Sequence, residues 1–189
     1  NSTKQAALIK KLGEEQGVYV VRGAEVTTKE EVHCLCFFDR DEEVECFQEF
    51  LDERLCDIHN NTDYFGYQVV VNENDEIQDE IDILLTAAIN ASIEEVEAKV
   101  HELNGIFIPA HINKSQNSII SQLGFVPIGL NVDALELSRH IKVNDFIGAN
   151  SYLSKYSFIQ SSDAHYPDDI ATVYTEFCMN EPSFDELRM

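Results

Sequence analysis

The chain has 189 residues, 44% hydrophobic and 10% aromatic, which suits one globular domain with a full core. Its 35 acidic against 13 basic residues give a formal charge of −22, so polyanions are repelled at long range and non-specific nucleic-acid binding is disfavoured. No apolar run reaches the length of a membrane span. Asn1-Ser2-Thr3-Lys4-Gln5 lacks signal-peptide character, and Cys34, Cys36, Cys46, Cys56 and Cys178 show no Cys-x-x-Cys spacing, so a reducing, cytoplasmic setting is expected.

Taken in chain order, Lys4–Gln16 has a helical pattern, with Ala7, Leu8 and Leu12 on one face and Gly17 as a stop. Val18–Val21 reads as a buried strand ending at Gly23, and Val32–Phe38 as a second strand. Cys34 and Cys36 share one face of that second strand and are expected as core thiols. Asp39-Arg40-Asp41-Glu42 opens an acidic amphipathic helix over Glu42–His59, carrying Val44, Phe47, Leu51 and Leu55 and broken by Asn60-Asn61. His59 then falls at its C-terminus, complementing the helix dipole. Ser92-Ile93-Glu94-Glu95 is a capping box for a helix with Ile93, Val96, Val100 and Leu103 on one face, and His101 falls on its polar side. Asn104-Gly105 ends it, and the strand Ile106–Pro109 follows. Ser115–Leu123 is a short helix, Val132–Leu137 a further strand and Tyr156–Ile159 the last. This alternation predicts an α/β architecture, a parallel sheet or barrel with helices outside. The chain opens directly into a helix and stops soon after a second capping box, Ser183-Phe184-Asp185-Glu186, so residues 1–189 are expected to form a single partial domain, truncated at both ends.

Carboxylates and imidazoles recur where the apolar runs end: Glu25, His33, His111, Asp163 and His165. Strand ends are where loops meet the functional face of an α/β protein. Carboxylate oxygen and imidazole nitrogen together suit Zn²⁺, Mn²⁺ or Fe, which points to a metal-dependent hydrolase. A lone histidine is more often a surface residue than a ligand; the case rests on several strand ends carrying such residues together. Asp163 and His165 flank Ala164, so at strand spacing they point to one side. Lys114 and Arg139 follow strand ends and are candidate phosphate contacts, with plain solvated surface as the alternative.

At these residues the sequence resembles the polymerase and histidinol phosphatase (PHP) superfamily of metal-dependent phosphoesterases. The stretch from Gly17 to Thr27 is similar to its Pro-Gly-x-Glu strand end, with Arg22 where a proline is common. Val32-His33 resembles the next ligand, Gly105–His111 its Ala-His segment, and Ser161-Ser162-Asp163-Ala164-His165 its Ser-Asp-x-His signature. The resemblance implies a distorted (β/α)7-type barrel with up to three divalent metals. Glu25 would bridge two of them, with Asp163 on the first, His33 and His111 on the second, and His165 on the third. It implies hydrolysis of a small phosphate ester, with Glu25 and Asp163 as the catalytic carboxylates. The family's His-x-His is absent, and so is the Asp-His pair that Asn1-Ser2 would follow; the missing part is expected upstream of Asn1. A non-catalytic PHP-like binding module and a polymerase-associated nuclease stay open as alternatives.

Overall fold

In the computed structural model, which describes residues 1–188, the elements run α1 (Ala6–Glu15), β1 (Arg22–Thr27), β2 (His33–Phe38), α2 (Asp41–Asp52), α3 (Thr62–Phe65), β3 (Val69–Val71), β4 (Ile77–Glu80), α4 (Ile93–Glu102), β5 (Ile106–Pro109), α5 (Ile119–Leu123), β6 (Leu135–Leu137), α6 (Val143–Ala149), β7 (Phe158–Gln160) and α7 (Phe184–Arg188). Three sheets are formed: β1-β2-β5, β3-β4 and β6-β7. β2 is antiparallel to both β1 and β5, whereas β6 and β7 are parallel. Two hydrogen bonds join the larger sheet to the β6-β7 pair: Asp133 N–H donates to the Phe107 carbonyl at 3.0 Å and Ile112 N–H to the Glu136 carbonyl at 2.8 Å. They climb in the same direction on both segments, so β5 and β6 lie side by side in the same sense.

Strand alternation gives the larger sheet two faces. Cys34, Cys36, Phe38 and Phe107 point to one face and pack with Val44, Phe47 and Leu51 of α2 and with Val96 and Val100 of α4, all buried. The Phe38 and Phe47 rings sit 4.6 Å apart between centroids. Burial of each such side chain is worth about 1.5–3 kcal/mol. Leu35, Phe37, Ile106 and Ile108 point to the other face, where they meet Ala134, Ile159 and Phe184. An apolar cavity of about 230 Å³, bounded by Val21, Phe37, Ile106 and Ile159 among others, lies at the end of this face where β1 begins.

The helices start where their caps dictate. Ser92 Oγ accepts from Glu95 N–H at 3.2 Å while the Glu95 carboxylate accepts from Ser92 N–H at 2.8 Å, as the capping box predicts. At α2 the buried Glu43 carboxylate accepts from the Asp39 and Arg40 amides at 3.3 and 3.1 Å and from Arg40 Nε at 2.8 Å.

Several expectations need correction. The expected parallel sheet is not formed: among the described residues only β6 and β7 pair in parallel, while β1-β2, β2-β5 and β3-β4 are antiparallel. Val18–Val21 is not a strand; Val18 and Tyr19 are exposed, and the strand instead begins at Arg22 and runs through Gly23 and Glu25. The helix expected over Glu42–His59 stops at Asp52, leaving His59 in an isolated bridge with Ile83 and paired with Asp82. The β3-β4 hairpin, half-buried along β3 and exposed along β4, was not expected from the sequence. Among the described residues no helix is long and apolar enough to cross a membrane.

Gly23 belongs inside β1 for a steric reason: a Cβ there would meet the Cys36 carbonyl oxygen at 1.9 Å. Gly23→Ala should therefore push β1 off β2 and destabilise the protein by about 3 kcal/mol, read from urea unfolding. Burial alone would raise the Glu43 pKa, but its amide and Arg40 donors outweigh that and hold it below 4.5. The unfolded chain then takes up this proton first, so the contribution is complete above pH 4.5 and fades as pH falls through the lower folded value. Glu43→Gln should lower the melting temperature at pH 7 and flatten its decline in acid.

Candidate metal centre

The reversed β2 brings the candidate ligands to one end of the sheet. β1, β5, β6 and β7 share a direction, so their C-terminal ends lie together, and the N-terminal end of β2 lies among them. His33, the first residue of β2, faces Thr27 in register; its carbonyl accepts from Ala110 N–H at 2.9 Å, just past β5. Glu25 and His33 project from the same face of adjacent strands, and Glu25 Oε1 lies 3.2 Å from His33 Nδ1. His111, two positions beyond β5, brings Nε2 to 3.3 Å from the same oxygen. The two imidazole rings are 5.2 Å apart between centroids.

Glu25, His33 and His111 each offer one ligand atom within 4.8 Å of the others. A carboxylate facing two imidazoles is a set of electron-pair donors aimed at one another, the arrangement a divalent cation satisfies. His111 is buried, and its Nδ1 has no partner among the described residues. The donor set therefore fits a metal ion. Burial would raise the Glu25 pKa, but the hydrogen bonds and charges of His111 and His33 overcome it and hold the carboxyl well below its usual range.

Asp163 follows β7 with φ 48°, so it lies outside strand geometry, and the expectation that Asp163 and His165 share a strand face does not hold. It is half-buried and accepts from Lys114 Nζ at 2.6 Å. Burial raises its pKa, the Lys114 ammonium more than offsets this, and Glu25 and His111 lie close enough to act on it as well. His165 is largely exposed, with Nε2 at 3.6 Å from Asp163 Oδ1. Arg139 pairs with Asp169 at 2.9 Å. Both candidate phosphate contacts are thus held by acids.

Two features escaped the sequence reading. His101, expected as surface beside Glu102, instead bridges Glu97 at 2.6 Å and Asp133 at 3.0 Å, linking α4 to the segment before β6. Glu136 is a buried acid in the middle of β6, accepting from His111 N–H at 2.9 Å and from the Ser161 hydroxyl. The one sequence signal was an acid alternating with leucines in Leu135-Glu136-Leu137, where burial of the run obliges the acid to find partners.

Residues 149–189 match the family described as PHP-associated. The resemblance to the PHP superfamily is borne out. Among solved structures, an endonuclease Q complex with a 27-mer duplex bearing an abasic lesion at the active site matches with TM-score 0.70 and 18% identity, covering 99% of this chain and 46% of the other. The lesion-specific endonuclease Q of Pyrococcus furiosus gives 0.62 at 21% identity, covering 87% and 36%. A provisionally assigned metal-dependent phosphoesterase from Bifidobacterium adolescentis gives 0.61 at 17% identity, covering 99% and 81%. A Bacillus subtilis protein, the uncharacterized YqxK, is 31% identical over 99 residues, which is 50% of this chain and 25% of that protein. The chain thus spans less than half the length of either endonuclease.

Proposed function

We propose that residues 1–189 form a single PHP-like domain built on a (β/α)7-type barrel plan, and that it is a metal-dependent phosphoesterase. The observation that carries this reading is the convergence of Glu25, His33 and His111 at one end of the sheet, with ligand atoms within 4.8 Å of one another. Glu25, His33 and His111 would hold one divalent ion, Zn²⁺, Mn²⁺ or Fe; Asp163, near Glu25, and His165, 3.6 Å from Asp163, would serve further ions. Bound ions would lower the pKa of a water and neutralise charge on the phosphoryl oxygens.

The chain's own residues do the rest. Glu25 would offer a second oxygen for bridging, the buried His111 would bind from the protein side, and the exposed His165 would add a donor beside Asp163. Lys114, held at Asp163, is placed to orient a phosphoryl oxygen at the rim. Arg139, tied to Asp169, stands further along the chain in the same candidate role. The substrate proposed is a small phosphate ester, in keeping with the charge of −22. A nucleic-acid phosphodiester is the second reading, favoured by the fold shared with endonuclease Q. The five cysteines are all free thiols, which supports a cytoplasmic setting within the same proposal.

The test is metal binding and turnover by the protein purified in chelator and reloaded with Zn²⁺ or Mn²⁺. Affinity should fall with pH as protons compete for the imidazoles. Glu25→Gln and His111→Ala should each cost on the order of 100-fold in turnover of a phosphomonoester or diester while leaving circular dichroism unchanged. Cleavage of an abasic-site duplex in preference to the small esters would move the assignment to the second reading. Equal turnover by wild type and Glu25→Gln would overturn both.

A further inference from the structure

We propose that Glu136 is the positioning residue of this centre, a buried carboxylate that holds the His111 and Asp163 loops in register; the inference rests on the metal-centre reading above. Glu136 is only 4% exposed, and among the described residues it takes part in no ion pair. Its partners are neutral donors. One carboxylate oxygen accepts from the His111 backbone N–H at 2.9 Å, the other from the Ser161 hydroxyl, and its own carbonyl accepts from Ile112 N–H at 2.8 Å. A single side chain on β6 thereby ties the loop after β5, which carries His111, to the loop after β7, which carries Asp163.

Both loops need such a tie. His111 has φ 30° and Asp163 φ 48°, the left-handed region that non-glycine residues avoid unless neighbouring contacts impose it. An apolar residue would fill this point of β6 at lower cost in desolvation, as Leu135 and Leu137 do on the opposite face. The acid is accounted for by what it fixes. It touches a backbone amide and a hydroxyl rather than a reacting atom, so it acts through His111 and Ser161.

The experiment is calorimetric titration of chelator-treated protein with Zn²⁺ or Mn²⁺, together with amide hydrogen exchange at His111. Glu136→Leu, which offers no acceptor to either donor, should bind metal about 10- to 100-fold more weakly and exchange the His111 amide faster. Asp133→Asn is the structural control. Asp133 accepts from Phe107 N–H at 2.7 Å at the other end of β5, so its loss should lower the melting temperature and leave metal affinity unchanged. If Glu136→Leu does not fold, Ser161→Ala, which removes one of the two bonds from the donor side, carries the same readouts with a smaller shift. Wild-type affinity in the folded variant overturns the positioning role alone. A wild-type protein that binds no metal overturns both this role and the reading it rests on.

Discussion

The site depends on the reversal of one strand. β2 runs against β1 and β5, and only for that reason can a residue at the start of a strand meet residues at the ends of its neighbours. The register with Thr27 opposite His33 sets which side chains face which way. A slip of one residue would turn His33 toward α2 and bring Cys34 to the site, while the core thiols and Phe38 moved out of the apolar layer. The packing of Cys34, Cys36 and Phe38 against α2 and α4 therefore fixes the register that brings His33 to Glu25. Core and site are two readings of the same alternation.

Two of the candidate ligand residues are held in a strained backbone conformation. His111 and Asp163 both take positive φ, at about 1–2 kcal/mol each for an L-residue. Such strain persists only where the surroundings over-determine it. Here the surroundings are identifiable. Glu136 grips the His111 amide, the β6 backbone takes the next amide, and Lys114 holds the Asp163 carboxylate. The result is two loops from different strands fixed relative to one another.

Much of this was legible in the sequence where pattern and chemistry agreed. Ile106–Pro109 and His33–Phe38 are apolar runs with clear ends, and the Ser92 capping box marks α4 to the residue. The candidate ligands were visible as metal-type residues at run ends, and the structure brings Glu25, His33 and His111 together. Other features were hidden for physical reasons. Gly23 reads as a strand stop because glycine usually is one; its place inside β1 follows from the approach of the Cys36 carbonyl, which no single-strand pattern reveals. The direction of β2 was misread because alternation with helices implies parallel strands, while β1 and β2 are joined by a short turn containing Glu31 at φ 62°. The apolar spacing Val44, Phe47, Leu51, Leu55 continues past the end of α2, because Leu55 still packs on the core after the helix has stopped. The β3-β4 hairpin was missed because its second strand is wholly exposed; its turn does carry a signal, with Asn72 Oδ1 accepting from the Asn74 and Glu76 amides.

The overall charge bears on substrate through length scale. Screening confines the field of exposed charges to about 8 Å at physiological ionic strength. A small phosphate ester fits within that distance, so it would respond to the groups of the centre itself, Lys114 among them, and hardly at all to acids elsewhere. A duplex presents a charge about every 1.7 Å along its axis and must lie across a much longer stretch of surface. It would meet the acidic excess that gives this chain its charge of −22. On the function proposed above, discrimination between a small ester and a duplex would lie with the surface around the centre rather than with the residues within it.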